Sequence, residues 1–311
     1  MLNYFNFKKY NNGYMLLTND FGEYAFVKNN DFIKLLKTRN LLDKNKYEEM
    51  LDKRFILEGV DEDYNDFPNA KKYLFNGTNL HIFVVTNRCN SNCIYCQAKA
   101  KHSNVFDHMT KEIAKHSVDI ALQSPEKILT FEFQGGEPLL NFDVIKYIVS
   151  YANEMKGFHK INYCIVSNLL LLTEEMLSWF IENNVAISTS LDGNEMLHNQ
   201  NRPLISGYGS YEKTISGFNL IRNKNYPIGA IQTTTRYSLD NYKGIVDEYI
   251  SNGIDSIFIR PLTPLGTAKE TWDLIGYTPS QFEEFYRKIL SYIIRKNKDG
   301  IVIKEGHSVI F

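Results

Sequence analysis

From about residue 80 onward this chain repeats one pattern six times: a short run rich in Val, Ile and Phe, then a helical stretch. The runs are HIFVVT (81–86), ILTFEF (128–133), INYCIV (161–166), VAISTS (185–190), IGAIQTT (228–234) and SIFIRPL (256–262). Near-continuous apolar runs of this length suit parallel strands covered on both faces. The helical stretches carry their own start signals. Thr110 is placed to cap KEIAKHSVDIALQ and Thr173 to cap EEMLSWFIENN, with Glu174 and Glu175 near the positive end of the dipole. Thr278-Pro279-Ser280-Gln281 combines a capping box with proline at the first helical position. Phe282, Phe285, Tyr286, Ile289 and Ile293 then follow at helical spacing. Repeated strand–helix–strand units impose right-handed parallel crossovers. The fold class is therefore α/β, as a doubly wound sheet or a full or partial barrel.

The first 80 residues read differently. GYMLLTNDFGEYAFV gives two short strands around an Asn-Asp-Phe-Gly turn, and NNDFIKLLKTRNLL and DKNKYEEMLDKRFILEGV read as helices. A small α+β domain is expected over residues 1–60, a linker over 61–79 beginning with the acidic DEDYNDFPNA, and the barrel over 80–311. With 35 basic and 36 acidic residues, the net charge of −1 gives no basis for a nucleic acid or an anionic membrane as partner. No apolar run approaches the roughly 20 residues of a membrane span, and the N-terminus lacks a signal-peptide core. A cytoplasmic chain is the expectation. Thiols stay reduced there, so clustered cysteines favour metal or redox chemistry over disulfides.

Three of the four cysteines sit in RCNSNCIYCQAK (88–99), spaced Cys89-x-x-x-Cys93-x-x-Cys96, directly after the first strand run. Three thiolates on so short a loop can hold three corners of a cubic iron–sulfur cluster, leaving the fourth iron free of protein ligand. Spacing alone leaves two other readings open. One is a zinc site with Cys164 as fourth ligand; the other is a redox Cys-x-x-Cys pair, which leaves Cys89 unexplained. Cys164 lies within INYCIV, where a free cysteine reads as a small buried hydrophobe.

The other strand runs end in polar or glycine residues too. QGGEP (134–138) follows the second: Gly135 and Gly136 let backbone approach a ligand, and Glu137 can accept from an ammonium, unless the segment is a plain turn. Ser167-Asn168 follows the third and Ser190-Leu191-Asp192-Gly193 the fourth. Arg202, in HNQNRP, is suited to a carboxylate. A strand-end cap, a turn and a solvated arginine are the plain alternatives. Thr234 and Arg236 follow the fifth run and Arg260 lies in the sixth. Parallel strands gather their C-terminal ends on one rim, where α/β barrels build active sites. The seven histidines show no such organisation.

Cys-x-x-x-Cys-x-aromatic-Cys after a first barrel strand, with Tyr95 at the aromatic position, resembles the radical S-adenosylmethionine (SAM) enzymes. The resemblance implies a partial (β/α)6 TIM-like barrel. It implies one 4Fe–4S cluster on Cys89, Cys93 and Cys96, with Cys164 uninvolved, whose open iron chelates SAM. Reductive cleavage of SAM then yields methionine and a 5′-deoxyadenosyl radical that abstracts substrate hydrogen. Carried over in the same way, the Gly135-Gly136-Glu137-Pro138 segment holds the SAM amino group, and Ser167 or Asn168 lies near the ribose. Ser190 and Arg202 lie near the methionine carboxylate. No catalytic acid or base is implied.

The wider set LLTNDFGEYAFV, LHIFVVTNRCNSNCIYCQ, EFQGGEPLLNF, STSLDG, HNQNRP and FIRPLTPLG resembles the His-Xaa-Ser-system radical SAM maturase, B component. That implies modification of a ribosomally made precursor peptide bearing His-Xaa-Ser repeats. Implied partners are an electron donor such as ferredoxin or flavodoxin and a second radical SAM protein. Alternatives are an anaerobic sulfatase-maturase-like oxidation of a protein side chain and a non-catalytic iron–sulfur scaffold. Such maturases usually continue into a cysteine-rich C-terminal domain. With Cys164 as the one spare thiol, a naturally short or truncated chain without auxiliary clusters is expected. Residues 1–60 resemble small winged-helix domains that take up a leader peptide as an added strand; the plainer alternative is a lid over the barrel.

Overall fold

The computed structural model describes residues 2–37, 42–58, 76–99 and 108–306. Most of the expected linker lies outside them. The chain divides into two compact units between Asn76 and Gly77.

The first unit is an antiparallel meander of β1 (Asn6–Asn11), β2 (Tyr14–Thr18) and β3 (Tyr24–Lys28), followed by helices Asn29–Lys37 and Lys44–Asp52. Asn19 closes the β2–β3 turn, its Oδ1 accepting from Phe21 N at 3.1 Å and Glu23 N at 3.0 Å. Leu17, Ala25 and Val27 share one sheet face and pack with Phe32, Leu35, Met50, Phe55 and Ile56. β1 is an addition to the expected pair of strands: all six residues of NFKKYN are exposed, so no alternation marks it.

The second unit holds seven parallel strands in sequential order: β4 (Leu80–Thr86), β5 (Ile128–Gly135), β6 (Lys160–Val166), β7 (Val185–Ser190), β8 (Ile228–Thr233), β9 (Ser256–Arg260) and β10 (Lys304–Glu305). Among the described residues the sheet runs from β4 to β10 without closing, as a partial barrel does. Six strands match the expected runs. The seventh is two residues paired in register with Ser256 and Ile257.

One correction concerns the two faces of the sheet. Leu129, Phe131, Phe133, Ile165, Ile187, Ile257 and Ile259 pack against helix residues such as Val118, Ile145, Ile148, Phe180, Val246 and Phe285. The alternate residues face the other way and are only half-buried, as the pattern of β5 shows. An unclosed barrel leaves its inner wall accessible. The helix starts follow the sequence: Thr110 Oγ1 accepts from Ile113 N at 3.2 Å and Thr173 Oγ1 from Met176 N at 3.2 Å. Thr278 and Gln281 complete their capping box. Among the described residues no helix is long and apolar enough to cross a membrane.

Candidate active site at the strand-end rim

Backbone contacts fix the cysteine loop from two sides. Gly136 N donates to Thr86 O at 2.9 Å and Glu137 N to Arg88 O at 2.8 Å. A Cβ on Gly135 would fall 2.2 Å from Thr86 O, and one on Gly136 would fall 2.1 Å from Arg88 O. Only glycine permits that approach, so the pair braces the loop whatever else it does. On the other side, Ile94 N donates to Asn201 O at 3.0 Å and Thr267 N to Cys96 O at 2.8 Å. Gly266 has φ +58°, and a Cβ there would lie 2.3 Å from Cys96 O. Gly266 escaped the sequence reading because its partner is 170 residues away.

The strand ends converge on one cavity of about 210 Å³, open to solvent. Its wall includes Cys89, Cys93, Cys96, Tyr95, Gly135, Gly136, Glu137, Ser167, Asn168, Ser190 and Arg202, together with Arg260. Thr234 and Arg236 point elsewhere. Thr234 Oγ1 donates to Gln232 Oε1 at 2.9 Å, and Arg236 donates to Gly276 O and Asp273 O, each at 2.7 Å. Cys164 is also outside this wall. It is half-buried rather than packed away in the core, and its Sγ donates to Glu132 Oε2 at 3.7 Å.

Much of the polar rim is occupied with itself. Glu137 is 1% exposed and accepts from Ser167 Oγ at 2.7 Å, Asn168 N at 2.8 Å and Leu139 N at 3.1 Å. Burial pushes its carboxyl upward in pKa, against these donors and the Arg202 charge. Asn168 Nδ2 ties back to the cysteine loop, at 2.7 Å from Asn90 Oδ1 and 3.2 Å from Ser91 Oγ. Tyr95 OH donates to Asp192 Oδ2 at 2.8 Å while accepting from Arg202 Nη1 at 2.8 Å. Asp192 is fully buried and also accepts from Thr233 N at 3.2 Å. The resulting Asp192–Tyr95–Arg202 chain holds the guanidinium at the cavity. Sequence reasoning missed this role of Asp192, since only its nearness to Tyr95, 97 positions away, reveals it.

The donor set fits an iron–sulfur cluster. Burial pushes Cys89 up to about 12 and also raises Cys93, and thiols bind metal as thiolates, so loading the site would release their protons. No three His, Cys, Asp or Glu side chains among the described residues converge closely enough to hold a single metal ion. The fourth ligand that a zinc site would draw from Cys164 is not at this wall, since Cys164 pairs with Glu132 instead. A cluster spreads its iron over separate corners, each taking one thiolate, which three thiols lining one cavity can supply.

Comparison with known proteins decides the family. The model of the radical SAM superfamily matches residues 83–250. The chain belongs to the radical SAM superfamily. Membership brings the expectation of SAM and a 4Fe–4S cluster. An uncharacterized protein of Methanocaldococcus jannaschii is 35% identical over 183 residues, covering 59% of this chain and 62% of that protein. The chain thus spans about three fifths of that relative's length. Among solved radical SAM folds, anSMEcpe with bound AdoMet and Kp18Cys peptide superposes with a TM-score of 0.66 at 19% identity, over 74% of this chain and 63% of that one. Streptococcus suis SuiB bound to precursor peptide SuiA gives 0.56 at 14% identity, over 91% of this chain and 67% of that one.

Proposed function

We propose that this radical SAM chain is a maturase that modifies a ribosomally made peptide of the His-Xaa-Ser repeat type. The observation that carries the reading is the meeting of three loop thiols and the polar strand ends on one cavity. Cys89, Cys93 and Cys96 would hold the cluster, which when bound supplies an electron to SAM. Arg202, oriented by Tyr95, offers a charge-assisted contact to the SAM carboxylate, with Ser190 on the same wall. Gly135 and Gly136 set backbone at the cavity edge, and Glu137 fixes Ser167 and Asn168, the latter beside the cysteine loop.

A peptide substrate draws support from two neighbours of similar fold, since SuiB and anSMEcpe are each solved with a peptide bound. The subtype rests on the motif set quoted above. Ferredoxin or flavodoxin as electron donor and a second radical SAM protein as partner belong to the same proposal. Residues 1–60 are the proposed leader-recognition domain. Lys46 and Lys53 already donate to the β3 carbonyls of Phe26 and Tyr24, at 3.3 and 3.0 Å. A leader strand would therefore add along β1. The test is mass spectrometry of a co-expressed His-Xaa-Ser precursor with and without this chain. A mass change confined to the repeats supports the proposal. An unmodified precursor beside an oxidised sulfatase-type Cys or Ser substrate overturns the subtype.

A further inference from the structure

Below the cavity, the inner wall of the barrel carries a carboxylate that the site described above does not use. Leu129, Phe131 and Phe133 of β5 are buried under the helices, so Thr130, Glu132 and Gln134 project from the opposite face. In register, Glu132 lies between Ile82 of β4 and Cys164 of β6, and Cys164 lies beside Ala186 of β7. Ile82 is 52% exposed, so this row is open to a ligand. Cys164 Sγ donates to Glu132 Oε2 at 3.7 Å, and Gln134 Nε2 donates to Glu132 Oε1. Burial raises the Cys164 thiol to about 12, and the neighbouring carboxylate adds to this. Both donors are therefore neutral. Among the described residues no Lys, Arg or His is paired with Glu132.

A carboxylate has about four acceptor sites, and two neutral donors leave both lone pairs and charge uncompensated. Val166, two residues beyond Cys164 on the same face, lines the cavity. The Glu132 row is thus about 7 Å of strand rise deeper. We infer that Glu132, held by Cys164 and Gln134 on the inner barrel wall, receives an N–H-donating side chain of the peptide substrate. On the peptide reading above, on which this inference rests, that side chain is the imidazole of a His-Xaa-Ser repeat. Glu132 is then a specificity residue and takes no part in SAM cleavage.

The experiment is a double-mutant cycle across the complex. A synthetic peptide of five His-Ala-Ser repeats, and its counterpart with each His replaced by Phe, are titrated anaerobically against the reconstituted full chain with SAM. Wild type, Glu132→Gln and Glu132→Leu are compared. Wild type should bind the His peptide about tenfold or more tighter than the Phe peptide, as a charge-assisted hydrogen bond allows. Glu132→Leu should erase that preference and Glu132→Gln should keep part of it. The readout is a ratio within each variant, so a partly unfolded preparation does not imitate the loss. An equal preference in wild type and Glu132→Leu overturns the inference alone. No binding of either peptide by wild type, when a leader-bearing His-Xaa-Ser precursor is left unbound as well, overturns the inference and the substrate reading together.

Discussion

Glu137→Ala separates a residue that touches the ligand from one that builds the place where the ligand sits. In the structure its two oxygens accept from Ser167 Oγ, Asn168 N and Leu139 N, all at 3.1 Å or less. Removing the carboxylate orphans those donors in a site where Glu137 itself is 1% exposed. Each orphaned donor costs about 1–3 kcal/mol. Part of this is offset, because a buried carboxylate also carries a desolvation cost, seen in its raised pKa. The expected net loss is about 3–5 kcal/mol, a large share of a typical domain's 5–15 kcal/mol. Ser167→Ala removes one donor and one acceptor and should cost only about 1 kcal/mol. Urea titration of metal-free protein, followed by circular dichroism, reads these changes without any ligand contribution. SAM affinity, by anaerobic calorimetry of reconstituted protein, should also fall tenfold or more in Glu137→Ala as the rim loosens. An unchanged urea midpoint with weakened SAM binding would refute the reasoning and make Glu137 a ligand contact only.

Other outcomes follow from the same geometry. Anaerobically reconstituted Cys164→Ala should keep its iron and visible absorption, while alanine at Cys89, Cys93 or Cys96 should lose most of both; equal loss at all four positions would revive a four-thiol site. Tyr95→Phe removes the hydroxyl between Asp192 and Arg202 and should cost about 1–3 kcal/mol in urea unfolding; no change would mean that water replaces the hydroxyl. His198 is fully buried, and burial with the Arg202 charge lowers its pKa from 6.5 to about 3. Between those values the unfolded chain binds a proton that the folded chain refuses. Stability should therefore drop as pH falls, by about 1.4 kcal/mol per pH unit from this group, with no contribution above pH 6.5. His198→Gln should flatten that acid arm in urea midpoints taken between neutral and moderately acid pH, and an unchanged slope would assign it elsewhere.

Most of the parallel strands proved legible because they carry enough Val, Ile and Phe on the helix-facing side to stand out locally, as Leu129, Phe131 and Phe133 do on β5. β1 and β10 did not: the first is exposed along its whole length, and the second is a Lys-Glu pair defined only by its register with β9. The cavity wall was legible for a topological reason, since every parallel strand delivers its C-terminal residues to the same rim. Hidden from the sequence were the contacts among those residues. Nothing local says that Asp192 holds Tyr95, that Gly266 admits Cys96 O, or that Ser167 and Asn168 spend their donors on Glu137. Cys164 was read as an apolar filler because its neighbours in sequence are apolar; its neighbour across the sheet is Glu132.

The most direct measurement is reductant-dependent formation of 5′-deoxyadenosine by the anaerobically reconstituted chain supplied with SAM and a low-potential electron donor. The wild-type chain should form it together with methionine, and Cys93→Ala should form none. Absence of 5′-deoxyadenosine from an iron-loaded wild-type chain, or its undiminished formation by Cys93→Ala, would contradict the assignment of this cavity as a radical SAM site.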